Sequence, residues 1–401
     1  MAKSRSPLVI IFVTIFIDLI GFGIVIPVLP LYAKQFGASE TIVGLLLATY
    51  SAMQFLFAPV LGKLSDRVGR RPVLLVSLLG TAIGFLVMGF ANTLWLLFLA
   101  RIIDGISGGN ISTAQAYIAD VTPPEERSRG MGLIGVAFGL GFIFGPAIGG
   151  VMSHISPAAP FFFAAALAVA NATALYFLLP ESLPADKRVQ AKEQSSLASL
   201  FEQANRWQLT SVMAIYFFST VAFAMLTATF ALFANQRFGF DAAQTGYFFA
   251  YVGVMGAIIQ GGLLGRLVKR FGERLLILTG LLLFTCCLLI LPLAPGLVVL
   301  LITSAGIAIG NSFVTPTLNA LASKSVDALS QGRVLGAMSS AASLARIIGP
   351  TLGGYLLSLD VRNGSLYGRT PYWVSGAIML VALVLAVATQ SVSANVSENS
   401  V

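Results

Sequence analysis

Charge is scarce in this chain: Asp, Glu, Lys and Arg make up 10% of its 401 residues, and 57% are apolar. Soluble domains average about 45–50% apolar and about 25% charged residues, so this composition cannot clothe a water-exposed globule. Histidine occurs once, as His154, and cysteine twice, as the neighbours Cys286 and Cys287. Such a set supplies neither a disulfide framework nor metal ligands; the thiols read as small packing residues and His154 as an outer-end residue of a span. No Walker loop or His-Glu-x-x-His is present, and the letters Gly105-Ile106-Ser107-Gly108-Gly109 fit Gly-x-Ser-x-Gly only inside an apolar span and not after a strand, which leaves an ATP-driven pump and an embedded hydrolase without support, and no enzyme is expected. Short alternating segments of about ten residues, the mark of a β-barrel, are missing as well.

What the chain does have is long apolar runs. A helix needs about 20 residues to cross the hydrocarbon, and charged loops here bound spans near 8–32, 41–61, 72–91, 94–118, 129–152 and 159–179. A second set follows near 209–235, 243–264, 274–293, 296–320, 333–358 and 371–390. The expected fold is therefore all-α and membrane-integral, with twelve spans. The first run is too long for a signal peptide and is expected to stay as a span. Residues 181–208 are the one long polar interruption before the tail, dividing the chain into 1–180 and 209–401. Within it Leu197, Leu200, Phe201, Ala204 and Trp207 recur every three or four residues, the pattern of a helix lying on the inner leaflet.

The halves repeat each other. Phe36-Gly37 recurs as Phe238-Gly239, Arg67-Val68-Gly69 as Arg270-Phe271-Gly272, Gly109-Asn110 as Gly310-Asn311, and Gly145-Pro146 as Gly349-Pro350. Landmarks kept in order at near-constant offset indicate two pseudo-symmetric six-helix bundles with a substrate cavity between them. Of the 24 Lys and Arg, eighteen lie on one side of this topology and four (Lys34, Arg237, Arg362 and Arg369) on the other. The bias puts both termini in the cytoplasm, consistent with a bacterial inner membrane. It also accounts for the net charge of +8 without nucleic acid as a partner.

The densest charge lies in Gly62-Lys63-Leu64-Ser65-Asp66-Arg67-Val68-Gly69-Arg70-Arg71. This loop, the run Arg101-Ile-Ile-Asp104-Gly105, the stretch Gly135 to Gly150 ending Gly145-Pro146-Ala147-Ile148-Gly149-Gly150, Asp18 before Gly21 and Gly23, and Tyr117-Ile118-Ala119-Asp120 resemble the major facilitator superfamily in its drug/proton antiporter branch. The tetracycline exporters are the likeness followed most closely, and it is stronger in the first half. The resemblance implies the major facilitator fold and a proton-driven antiporter working by alternating access, with no cofactor or metal. Gating would fall to Gly62, Asp66, Arg67, Gly69, Arg70, Asp120 and Arg333, Asp66 meeting the helix that begins near Arg333 and Arg70 pairing with Asp120. Gly135, Gly139, Gly145, Pro146, Gly149 and Gly150 would form the antiporter motif, at a glycine spacing that lets helices approach closely.

Charges inside spans usually face the bundle interior and pair with one another. Asp18, Arg101 and Asp104 are such charges, and one of the two acids is expected to titrate with Arg101 as its counter-charge. Arg101, Asp104, Gly108, Ser112 and Gln115 fall on one stripe of a continuous helix, and Thr14 shares a face with Asp18. Further cavity candidates are Tyr50, Gln54, Phe138, Phe142, Gln260, Asn311, Thr315, Asn319, Ser339, Ser343 and Arg346, few polar anchors among aromatics. The tetracycline exporters carry further acids in the third and ninth helices and a His in the eighth; the matching spans here hold none, while Asp104 is additional. The expected substrate is a small lipophilic or amphipathic compound, exported by a chain acting as a monomer among membrane lipids. Import by a proton symporter or facilitator, and lipid flipping or sensing on the same fold, remain the alternatives.

Overall fold

The computed structural model describes residues 7–122, 127–183, 206–326, 331–361 and 367–398. Among them every regular element is helical. In a bilayer this follows from the need to satisfy each backbone N–H and C=O within its own segment. The first helices are α1 (Pro7–Gln35), α2 (Glu40–Val68), α3 (Arg70–Gly89), α4 (Leu94–Ser107), α5 (Asn110–Val121), α6 (Arg127–Ser153) and α7 (Ala159–Leu178). Then come α8 (Arg206–Phe238), α9 (Ala242–Ile258), α10 (Leu264–Ile290), α11 (Leu297–Lys324), α12 (Gln331–Val361) and α13 (Arg369–Glu398). A π-helical turn, Ile259–Leu263, joins α9 to α10.

Ten stretches among the described residues are long and apolar enough to cross a membrane, against the twelve expected. Both differences have physical causes. The spans expected at 243–264 and 274–293 run together as Ala242–Leu293, because the backbone turns at Gly272 (φ 77°) without an intervening loop. Helix α12 has the length, at 31 residues, but Ser339, Ser340, Ser343 and Arg346 lower its apolarity. Of the expected interfacial helix, Leu197, Leu200, Phe201 and Ala204 lie outside the described residues, and Trp207 lies exposed in the first turn of α8.

Local signals set the ends. Ser39 Oγ accepts from Ile42 N (3.3 Å) and starts α2, and Thr93 Oγ1 accepts from Leu96 N (3.4 Å) and starts α4, each satisfying a backbone donor that has no intrahelical partner. Helix α2 stops at Gly69, whose φ of 115° is open to a residue without a Cβ. The repeat seen in the sequence is present in this backbone geometry: Gly37 and Gly239 have φ of 78° and 72°, and Gly69 and Gly272 have 115° and 77°.

Packing divides the chain into two compact units, Met1–Glu193 with Ala234–Gly253, and Gln194–Phe233 with Val254–Val401. In the first, Ile11, Leu19, Leu78, Tyr117, Ala137 and Leu175 form an apolar core contributed by α1, α3, α5, α6 and α7. Helix α6 lies on α1 so closely that a Cβ on Gly145 would meet Ile20 O at 2.7 Å and Gly23 Cα at 2.6 Å. In the second unit Gly349 sits equally close to α8, at Val221 O and Met225 N. One corner is repeated with its signs reversed. Arg70, just after Gly69, pairs with Asp120 at the end of α5 (3.1 Å); Glu273, just after Gly272, pairs with Lys324 at the end of α11 (2.5 Å). Lys269 likewise stands where the first unit has Asp66.

Candidate functional site

The buried charges gather in the first unit around a break in the fourth span. Helix α4 ends at Ser107 and α5 starts at Asn110, with Gly108 and Gly109 between them. Both glycines keep right-handed helical dihedrals, and Arg101, Gly108 and Ser112 of the expected stripe all face α2 across this break. Two successive glycines weaken the helix at that point, and Gln54 Nε2 on α2 donates to Gly108 O at 2.7 Å. Arg101 and Asp104 lie on α4 before the break, and Ser112 of α5 lies after it, its hydroxyl donating to Ala58 O of α2 (3.1 Å).

Arg101 and Asp104 are 1% and 4% exposed and pair at 2.9 Å, Nη1 to Oδ2. The guanidinium carbon lies 4.3 Å from the centre of the Tyr50 ring, a cation–π contact. Tyr50 Oη accepts from Gln54 Nε2 at 3.3 Å, so one glutamine fixes both the ring beneath Arg101 and the helix break beside it. Asn110, at the start of α5, donates to Asp18 Oδ2 at 3.4 Å. Asp18, Phe22, Tyr50, Thr81, Phe85 and Asp104 line one small pocket. Helix α3 closes on it through Gly84, where a Cβ would meet Asp104 Cβ at 2.9 Å. Two carboxyls thus border a single small volume, and one of them is paired with Arg101.

The charged loop is a second cluster. Arg70 reaches Asp66 (2.5 Å), Asp120 (3.1 Å) and Ser65 Oγ (2.6 Å) together, and Ser182 Oγ donates to Asp120 Oδ2 (2.9 Å). Glu181 accepts from Arg70 N (2.9 Å) and Arg71 N (3.2 Å). A carboxylate thereby caps the N-terminus of α3, where backbone donors and the helix dipole favour an anion. Arg67 lies on the same last turn of α2, Gly62 O accepts from Ser65 Oγ (2.7 Å), and the side chain of Arg333 lies outside the described residues.

The remaining candidates are scattered. Thr14 is buried and its carbonyl accepts from Asn171 Nδ2 (2.9 Å); Gln115 is half-buried on α5. Phe138 is exposed, and Phe142 meets Phe249 edge-on at 6.0 Å. In the second unit Gln260, on the π-helical turn, donates to Ser312 Oγ (3.2 Å), and Thr315 Oγ1 to Asn311 Oδ1 (3.0 Å). Arg346 Nη2 donates to Ser343 Oγ (3.0 Å), Ser339 is exposed, and Asn319 is half-buried. The glycine motif of α6 needs a correction: Gly141, Gly145 and Gly149 carry the approach to α1, and Gly150 and Pro146 pack against Ala243 and Gly246 of α9, whereas Gly135 and Gly139 meet no atom within 4 Å. Spacing alone missed Gly141, whose i, i+4, i+8 row with Gly145 and Gly149 is the one that faces α1.

A sequence profile described as Major Facilitator Superfamily matches residues 11–328 and 261–400. The chain belongs to the major facilitator superfamily. It is a multi-pass integral membrane transporter of that family. It is 35% identical over 390 residues to the tetracycline resistance protein, class C, of Escherichia coli, covering 95% of this chain and 96% of that one. To multidrug resistance protein 2 of Bacillus subtilis (strain 168) it is 30% identical over 389 residues, covering 95% and 94%. Among solved structures it is similar to the human organic anion transporter MFSD10 (TETRAN), at 26% identity and a TM-score of 0.72, covering 96% of this chain and all of that one.

Proposed function

We propose that this facilitator is a proton-coupled antiporter that exports small lipophilic or amphipathic compounds by alternating access between its two halves. The observation that carries the reading is the pocket lined by Asp18 and Asp104, with Arg101 paired to Asp104 beside it. With both carboxyls ionised the three groups sum to one negative charge, in a place where little water can screen it. A proton, or a positive charge on a substrate, is what balances it. Arg101 holds Asp104 in the resting pair, and Asn110 holds Asp18. Proton and substrate then compete for one charge deficit, which is the requirement for exchange. The similarity to tetracycline and multidrug resistance proteins supports export as the direction.

In this reading Arg70 with Asp66 and Asp120 forms part of the inner gate, the close seam of α6 on α1 corresponds to the antiporter motif, and both termini lie in the cytoplasm. The chain works as a monomer and takes its energy from the proton gradient alone. The test is transport in sealed vesicles with a pH gradient imposed in either direction, using tetracycline and ethidium as probes. Accumulation should follow the sign of the gradient and vanish in both Asp18→Asn and Asp104→Asn. Gradient-driven transport that persists in the double variant overturns the assignment.

A further inference from the structure

Asn171 lies within α7, a helix whose other residues are apolar apart from Thr173 and Tyr176, and is 1% exposed. Burying an amide in such surroundings costs about 1–3 kcal/mol unless it is hydrogen-bonded. Its Nδ2 donates to the backbone oxygen of Thr14 at 2.9 Å, on the neighbouring helix α1. A backbone carbonyl in a helix is already committed to the N–H four residues on, and for Thr14 that N–H belongs to Asp18. The Asn171 amide and the Asp18 N–H therefore share one acceptor. One turn further along α1, Asn110 of α5 donates to the Asp18 carboxylate. Asp18 is held at both ends: its backbone through Thr14 from α7, its side chain from α5.

We infer that Asn171 is a positioning residue for Asp18, fixing the rotation of α1 that turns the carboxyl toward Asn110 and the pocket. This rests on the reading of Asp18 as a proton carrier. A leucine of similar size at 171 would pack in the same space and join the adjoining core of Ala172 and Leu175. It would give up the one contact that a directional bond supplies. The titratable groups that line the Asp18 pocket from other helices are Asp104 of α4 and Tyr50 of α2, and Arg101 of α4 contacts both; Thr81 and Phe85 of α3 and Asn110 of α5 are neutral. Asn171 is not among the residues that line the pocket, so a change in the titration of Asp18 on altering it reads a change in the placing of α1.

The experiment is an infrared titration of the full-length protein in lipid vesicles without substrate, following the protonated-carboxyl band that disappears in Asp18→Asn. In Asn171→Leu that band should move in frequency, with a shift in its midpoint of up to about one pH unit, the size of one hydrogen bond's net worth. Asn171→Gln, which keeps an amide donor, should restore most of the wild-type behaviour. Asn171→Ala stands in if the leucine variant does not insert. A band unchanged in frequency and midpoint in Asn171→Leu or Asn171→Ala overturns the positioning role and leaves the proton reading intact. Absence of any Asp18-dependent band in the wild type overturns the proton reading, and this inference with it.

Discussion

Replacing Asp104 by Asn removes one charge from a pair whose members are both almost fully enclosed. Arg101 is 1% exposed and its Nε already lacks a hydrogen-bond partner among the described residues, so bulk water cannot take over the stranded charge. Taking one partner from a buried ion pair costs about 3–5 kcal/mol, most of it the penalty for the charge left behind. The Tyr50 ring, 4.3 Å from the guanidinium carbon, stays in place and already contributes its about 0.5–2 kcal/mol in the wild type, so it offers no new compensation. Asp104→Asn should therefore lower the folding equilibrium by about two to four powers of ten, at about 1.4 kcal/mol each. The double variant Arg101→Met, Asp104→Leu removes the stranded charge and should regain most of that loss. Equilibrium unfolding of the purified protein in mixed micelles, followed by circular dichroism, measures both. A cost below about 1 kcal/mol for Asp104→Asn, the size of an exposed pair, would show that the pair is screened and would refute the reasoning.

Arg101→Lys should impair transport nearly as much as Arg101→Ala, because an ammonium cannot both stack on Tyr50 and pair with Asp104; the comparison is initial rates of probe uptake into vesicles at matched protein level. Gly145→Ala should cost about 1–3 kcal/mol by forcing α6 off α1, while Gly139→Ala should change stability by no more than about 1 kcal/mol; equal losses in thermal unfolding would contradict the seam described here. Glu181→Gln removes the anion from the α3 N-terminus and should cost about 0.3–1 kcal/mol, reduced by added salt; a salt-independent loss would assign Glu181 to packing instead.

The parts of the molecule that could be read from the sequence are those whose cause is local. The turns at Gly69 and Gly272 were visible because a charged Gly-containing loop recurs at a fixed offset, and a positive φ is a property of one residue. Asp18, Arg101 and Asp104 stood out because any charge inside a span demands an explanation. The break at Gly108–Gly109 was masked by the apolar periodicity running through it, although paired glycines are themselves a breaker signal. Glu181 escaped notice because its partners at 70 and 71 are 111 and 110 residues away. Asn171 was equally silent, since an isolated amide in a span gives no hint of which neighbouring carbonyl it will meet. Gln54 and Ser112 were read as cavity ligands from their polarity; their hydrogen bonds go to the backbones of a broken helix and its neighbour.

The corner at Arg70–Asp120 and its counterpart at Glu273–Lys324 keep the same place in each half while exchanging sign. Only the product of the two charges is held there, and that product is the same whichever partner is positive. Recombination between the half-repeats is not neutral, however. A crossover that carried the start of the third helix from one half without the end of the fourth would set Arg70 against a lysine, or Glu273 against an aspartate. With the signs opposed, the two halves are not interchangeable at this corner unless both partners move together.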